Sequence, residues 1–215
     1  MQDKWTEDVV KWHSEIDWNK RRLNAGIILN FYDKVLKKSF DVLDVDDNQK
    51  ILDLACGSGL FSKELLKNYN VNIVGVDLSD AMLKAARKNL EEFDKKRWIL
   101  KKADARNLPF DSEFDRVLMV DLMCHLNEPE RVLHNVYRVL KDGGKAVIIT
   151  QGKYCIYRFT KYYLMTSKPP TRFYSRKEIE SMLRKVGFKK IKFDKIKIID
   201  FSLVPIEEHV AIAEK

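Results

Sequence analysis

The stretch that most constrains this chain is Lys50-Ile51-Leu52-Asp53-Leu54-Ala55-Cys56-Gly57-Ser58-Gly59-Leu60-Phe61-Ser62. An apolar run meets two glycines one residue apart and passes into a helical pattern. That reads as a strand, a tight turn and a helix N-terminus. Gly57 and Gly59 lack Cβ, so the turn accepts positive φ and a ligand can approach its backbone. The helix that follows offers unpaired N–H groups and a partial positive charge. A second apolar run, Val71-Asn72-Ile73-Val74-Gly75-Val76-Asp77, ends in an acid. An acid at the tip of the second strand, roughly 20 residues past the glycines, suits the two hydroxyls of a ribose.

The variant of the turn narrows the ligand. A dinucleotide fingerprint has a third glycine, which lets helix and strand pack closely. Here that position is Ser62, after the bulky Phe61. Asp53 also places a carboxylate on the strand before the glycines, which would repel a pyrophosphate and attract a cation. The pattern favours a cofactor with a ribose and positive charge but no phosphates. S-adenosylmethionine (SAM), with its ammonium and sulfonium, fits that description.

Residues Ile51 to Ser62 resemble the glycine-rich motif of the class I SAM-dependent methyltransferases. More narrowly, the chain resembles the small-molecule branch that includes the ubiquinone/menaquinone-biosynthesis methyltransferases. Further matches follow in family order and spacing. They are Val74-Gly75-Val76-Asp77-Leu78-Ser79, Ala103-Asp104-Ala105-Arg106-Asn107-Leu108-Pro109-Phe110, Phe114-Asp115-Arg116-Val117 and Leu140-Lys141-Asp142-Gly143-Gly144-Lys145. The resemblance implies a Rossmann-like three-layer α/β sandwich. Its seven-stranded, mostly parallel sheet would run 3-2-1-4-5-7-6, with the seventh strand antiparallel and N-terminal helices covering the site.

The resemblance also implies roles. Ala55, Gly57 and Gly59 would bring backbone against the methionine end of SAM, and Asp53 would favour its ammonium. Asp77 would accept the ribose hydroxyls. Leu78 and Met82 would line the adenine pocket, and Asp104 with the Ala105 backbone would read the adenine edge. Val120 and Asp121, after the fourth strand, would face the methyl end. His125 is the candidate proton acceptor, because its ordinary pKa lies near neutrality. An Asn/Asp-Pro-Pro-aromatic motif, frequent in methyltransferases acting on bases, is absent here, which argues against a nucleobase acceptor.

Residues 1–215 are expected to form a single methyltransferase domain. Within it, 1–48 would be a helical cap, 49–151 the cofactor-binding core, 152–174 a substrate-side insertion and 175–215 the last helix and a strand hairpin. Trp5, Trp12 and Trp18 share one helical face, which is expected to pack on the domain. Apolar residues from Ile27 to Leu36 mark a second helix. Strands are expected near 51–55, 71–76, 97–102, 115–120 and 145–150, and helices near 59–69, 79–93 and 128–140. Asp142-Gly143-Gly144 would end the third of these helices. Ser175-Arg176-Lys177-Glu178 is a capping box. Phe188 to Ile199 and His209 to Ala213 read as late strands.

The insertion mixes Tyr154, Tyr157, Phe159, Tyr162 and Tyr163 with Lys153, Arg158, Lys161 and Lys168. Such a mixture could hold an aromatic or anionic substrate, or stack on bases. The formal charge of +8 raises the same question of nucleic acid, but the basic residues are scattered along the chain. Three cysteines without metal-ligand spacing and four separated histidines give no metal site. With no apolar membrane-length run and no signal-peptide layout, a cytoplasmic location is expected. The leading expectation is a SAM-dependent methyltransferase with a small-molecule acceptor. The alternatives are an RNA or protein methyltransferase, a non-catalytic SAM-binding module, and a nicotinamide dehydrogenase, against which Ser62 and Asp53 argue.

Overall fold

The computed structural model describes residues 4–15, 26–151, 172–199 and 206–215. Two helices lead: α1 (Lys4–Glu15) and α2 (Gly26–Leu43). Strand β1 (Lys50–Leu54), helix α3 (Leu60–Asn68), strand β2 (Asn72–Asp77), helix α4 (Asp80–Leu90) and strand β3 (Trp98–Lys102) then alternate. They are followed by β4 (Phe114–Val120), a short 3-10 turn at Met123–His125, α5 (Pro129–Val139) and β5 (Leu140–Gln151). The chain ends with α6 (Arg176–Lys185), β6 (Lys190–Ile199) and β7 (Ile206–Glu214).

All seven strands share one sheet in the order β3-β2-β1-β4-β5-β7-β6, as the resemblance implied. The pairs from β3 to β5 are parallel, and β7 runs antiparallel to both β5 and β6. The central strands are buried on both faces, which is why they read as unbroken apolar runs. Leu52, Leu54, Val74, Val117, Met119 and Ile148 join one core cluster. Their sequence neighbours Ile51, Ile73, Leu118, Val147 and Ile149 join the other, with Val35 and Leu43 of α2.

Local chemistry fixes the helix ends. The Ser79 hydroxyl accepts from the Met82 N–H at 3.3 Å and caps α4. The expected capping box of α6 is complete, with the Ser175 side chain on the Glu178 backbone and the Glu178 side chain on the Ser175 N–H. The glycines at 143–144 do a different job from the one expected. Helix α5 already ends at Val139, and Leu140 opens β5. Gly143, at φ 74°, lies inside that strand, where the pairing with β4 shifts register between Phe114 and Arg116. Its N–H donates to the Lys215 carbonyl at 3.2 Å, so the glycine shapes a strand irregularity rather than a helix cap.

Of the expected tryptophan stripe, Trp5 and Trp12 lie on α1. Trp18, the side chains of Trp5 and Trp12, and residues 152–171 of the expected insertion lie outside the described residues. Because β1 to β5 are parallel, their C-terminal ends meet on one side of the sheet. There the turn after β1, Asp77, Ala103–Arg106, Asp121–His125 and Gln151 gather, joined by Glu208 from antiparallel β7. This is where ligands bind in doubly wound sheets.

Candidate active site

The turn after β1 is built from left-handed residues: Ala55 at φ 61°, Gly57 at 53° and Gly59 at 76°. Its two glycines serve different purposes. A Cβ on Gly57 would meet nothing within 4 Å, so this backbone faces open space. A Cβ on Gly59 would lie 3.2 Å from the Ala86 Cβ, so its bareness lets α3 start against α4. Gly57→Ala is therefore expected to weaken ligand binding more than folding. Comparing the variant's SAM affinity with its melting temperature checks that ordering.

Asp77, at the tip of β2, reaches back to this turn. Its Oδ2 accepts the Gly57 N–H at 2.9 Å, and its Oδ1 accepts the Ser79 N–H at 2.9 Å. Burial raises its pKa, against the lowering by N–H groups of Ser79, Gly57 and Leu78. Both carboxylate oxygens are thus fixed before any ligand arrives. Leu78 is half-buried beside them, and Met82 is buried one turn into α4.

Asp53 is 3% exposed and accepts the Ser62 hydroxyl at 2.6 Å. The sequence therefore puts a hydroxyl where a dinucleotide site has glycine, and that hydroxyl anchors the buried acid. Burial raises the Asp53 pKa to about 6, with Asp77 adding to the rise and Ser62 opposing it. An acid raised on folding destabilises the fold once the unfolded chain ionises. Stability falls as pH climbs from about 4 through about 6, by roughly 3 kcal/mol for a shift of this size. Burial raises Asp77, Asp121 and Glu208 in the same direction. Denaturant unfolding should give a larger free energy near pH 5 than at pH 7.5, and Asp53→Asn should flatten that slope.

Asp104 meets a partner that sequence reasoning missed. Arg106 places Nη2 2.7 Å from its Oδ2 and Nε 3.1 Å from each oxygen. Burial pushes Asp104 up, but the bonds and charge of Arg106 prevail and hold the carboxyl below its ordinary value. The Ala105 carbonyl accepts from Asn135 Nδ2 at 3.3 Å, tying this loop to α5. The basic residue two places after the acid was the available signal.

After β4 the chain turns sharply. Val120 is half-buried at the strand end, and Asp121 sits at φ 55°, costly for a non-glycine residue and typical of functional turns. The Asp121 N–H donates to the Ile149 carbonyl at 2.9 Å, and its own carbonyl accepts the Cys124 thiol at 3.3 Å. His125 closes the 3-10 turn and is 9% exposed. The Arg172 N–H donates to the Cys124 carbonyl at 2.7 Å, fastening the stretch before α6 to this loop. Glu208, also missed, is 2% exposed on β7 opposite Gln151. It shares strand parity with buried Val210, which was the signal. Cys56 and Cys124 are buried free thiols, and burial raises both. Among the described residues no group of acids, histidines and cysteines forms a metal site.

A family model described as a methyltransferase domain matches residues 51–144. Phosphoethanolamine N-methyltransferase 2 of Caenorhabditis elegans is 30% identical over 158 residues, covering 73% of this chain and 36% of that protein. The demethylmenaquinone methyltransferase of Listeria monocytogenes is 29% identical over 152 residues, covering 69% of this chain and 64% of the relative. The chain thus spans less than two thirds of either relative's length. Among solved structures, a Haloferax volcanii methyltransferase complex with the Trm112 activator matches with a TM-score of 0.75 at 17% identity. That match covers 100% of this chain and 98% of the other. The glycine turn and the strand order agree with these similarities: residues 51–144 match a methyltransferase domain, set in a fold shared with solved methyltransferase structures.

Proposed function

We propose that this protein transfers the methyl group of SAM to a small-molecule acceptor bound at the C-terminal ends of β4 and β5. The observation that carries the reading is the tie between Gly57 and Asp77. One N–H···O bond of 2.9 Å sets an open glycine backbone beside a fixed carboxylate. The donor set suits SAM. Asp77 retains lone pairs for ribose hydroxyls, and Asp53 sets a negative charge beneath the turn near the cofactor's ammonium. Leu78 and Met82 would line the adenine side, and Asp104, held by Arg106, would meet the adenine edge with the Ala105 backbone. When bound, SAM supplies an activated methyl for displacement at carbon, so the protein's work is alignment and exclusion of water. Val120 and Asp121 would border the methyl, and His125 would take a proton from an acceptor hydroxyl or activated carbon.

The relatives' names span a nitrogen acceptor, phosphoethanolamine, and a quinone precursor, demethylmenaquinone. Both are small molecules, and that supports the acceptor class. A second reading, an RNA acceptor, draws on one surface feature. Lys34, Lys37 and Lys38 of α2 and Lys195 of β6 line an open groove with Asp41 and Ile196. Lys38 is already paired with Asp194, and many other described lysines are also in ion pairs. The deciding assay incubates the protein with methyl-labelled SAM and separate metabolite, RNA and protein fractions. Label in the metabolite fraction is the expected result; label confined to RNA or protein would refute the small-molecule reading.

A further inference from the structure

Among the described residues, five buried side-chain oxygens lack a hydrogen-bond partner: Asp121 Oδ1, Thr150 Oγ1, Gln151 Oε1, Tyr174 OH and Glu208 Oε2. Such atoms are rare in a folded protein, and each one asks for an explanation. All five belong to the same end of the sheet, with Thr150 and Gln151 on opposite faces of β5. Asp121 follows β4 and bonds to Ile149; Thr150 and Gln151 end β5; Glu208 pairs with Gln151 across the sheet. Tyr174 lies two residues past Arg172, whose N–H holds the Cys124 carbonyl.

The charge at this end of the sheet is also unbalanced. Asp53, Asp77, Asp121 and Glu208 are carboxylates shaped by burial, and among the described residues no cation contributes to the shift of any of the four. SAM brings two positive centres and one carboxylate, a net charge of +1, which does not offset four acids. Asp53 and Asp77 have hydrogen-bond partners within the turn, so among the described residues the pair without compensation is Asp121 and Glu208. Leaving charged groups buried and unpaired is costly, and a cationic ligand removes that cost. We propose that Asp121 and Glu208 are the recognition groups for the acceptor and that the acceptor is an amine, held as its ammonium with help from the Gln151 carbonyl. This rests on the methyltransferase reading above and names the substrate class of that site.

The chemistry balances. The bound ammonium gives one proton to a carboxylate of the pair. The freed nitrogen lone pair forms the N–CH3 bond with the methyl of SAM as its C–S bond breaks. Sulfur keeps that electron pair, leaving S-adenosylhomocysteine. The methylated ammonium stays positive opposite the remaining carboxylate. Burial raises both acids, and the Asp121 charge adds to the rise at Glu208, which suits one of them to carry the proton. The titratable neighbours are Cys124, His125 and Tyr174, with Arg172 beside Tyr174 and His209 next to Glu208.

The test is calorimetric and needs no turnover. Protein saturated with S-adenosylhomocysteine is titrated with benzylamine against benzyl alcohol, with choline against its neutral isostere 3,3-dimethylbutanol, and with benzoate. At least one cation should bind ~10-fold or more tightly than its neutral partner. Glu208→Gln should remove most of that preference while the S-adenosylhomocysteine affinity holds, and Asp121→Asn should remove most of it as well. Absence of any cation preference, a preference that survives both substitutions, or tightest binding of benzoate would overturn the proposal. Parallel loss of S-adenosylhomocysteine would assign the pair to the cofactor and overturn it too. If wild-type protein fails to bind S-adenosylhomocysteine at all, the methyltransferase reading itself falls, and the amine proposal with it.

Discussion

Asp77→Ala should lower the affinity for SAM by ~100-fold, about 3 kcal/mol, the scale of two hydrogen bonds to a charged acceptor. The carboxylate has two duties at once. It holds the Gly57 and Ser79 N–H groups at 2.9 Å each, and in the proposed function its remaining lone pairs would accept the ribose hydroxyls. The alanine variant loses the ligand contacts and also releases the turn that shapes the cradle. Asp77→Asn keeps one acceptor oxygen and should fall between wild type and alanine. Because Asp77 is buried with a raised pKa, removing its charge should not weaken the fold at neutral pH as much as it weakens binding. Titration calorimetry and thermal melts on the three proteins separate the two effects. Equal SAM affinity in all three would remove Asp77 from the site.

Gly59→Ala should be the most damaging of the turn substitutions for stability. Two costs add. An alanine at φ 76° sits in the left-handed region, which disfavours any residue with a Cβ, by roughly 1 kcal/mol. That Cβ would also lie 3.2 Å from the Ala86 Cβ and 3.4 Å from its Cα, neither of which can rotate away. Overpacking of this kind costs about 1–2 kcal/mol more. A total of about 2–3 kcal/mol corresponds to a melting temperature lower by roughly 6–10 °C in a chain of this size. Gly57→Ala bears only the first cost, so its melting temperature should fall less. A larger drop for Gly57→Ala than for Gly59→Ala would show that the division of labour between the two glycines is wrong.

Much of this architecture was legible in the sequence, for physical reasons. Strands β1, β2 and β5 are buried on both faces, so residues such as Ile51 and Leu52 are both apolar and the runs stand out. Asp77 was visible because an acid ends an otherwise apolar strand. Ser79 and Ser175 were visible because capping depends on neighbours three residues away. What escaped depends on contacts distant in sequence. Glu208 comes within electrostatic reach of Asp121 only because β7 inserts beside β5, far from β4 in sequence. Gly143 read as a helix cap because Asp-Gly-Gly ends helices and bends strands alike. Its place was settled by pairing with Lys215 at the far end of the chain. Arg106 escaped because local spacing does not show that its guanidinium folds back onto Asp104.

The most direct test of the central claim is calorimetric titration of the purified wild-type protein with SAM, with NAD as the control ligand. One saturable SAM site with micromolar affinity, and no heat from NAD, is the predicted result. It would fit a site whose carboxylates at Asp53 and Asp77 favour a ribose with positive charge over a pyrophosphate. A folded protein that gives no binding heat with SAM across the millimolar range, or that binds NAD instead, would contradict the account at its base.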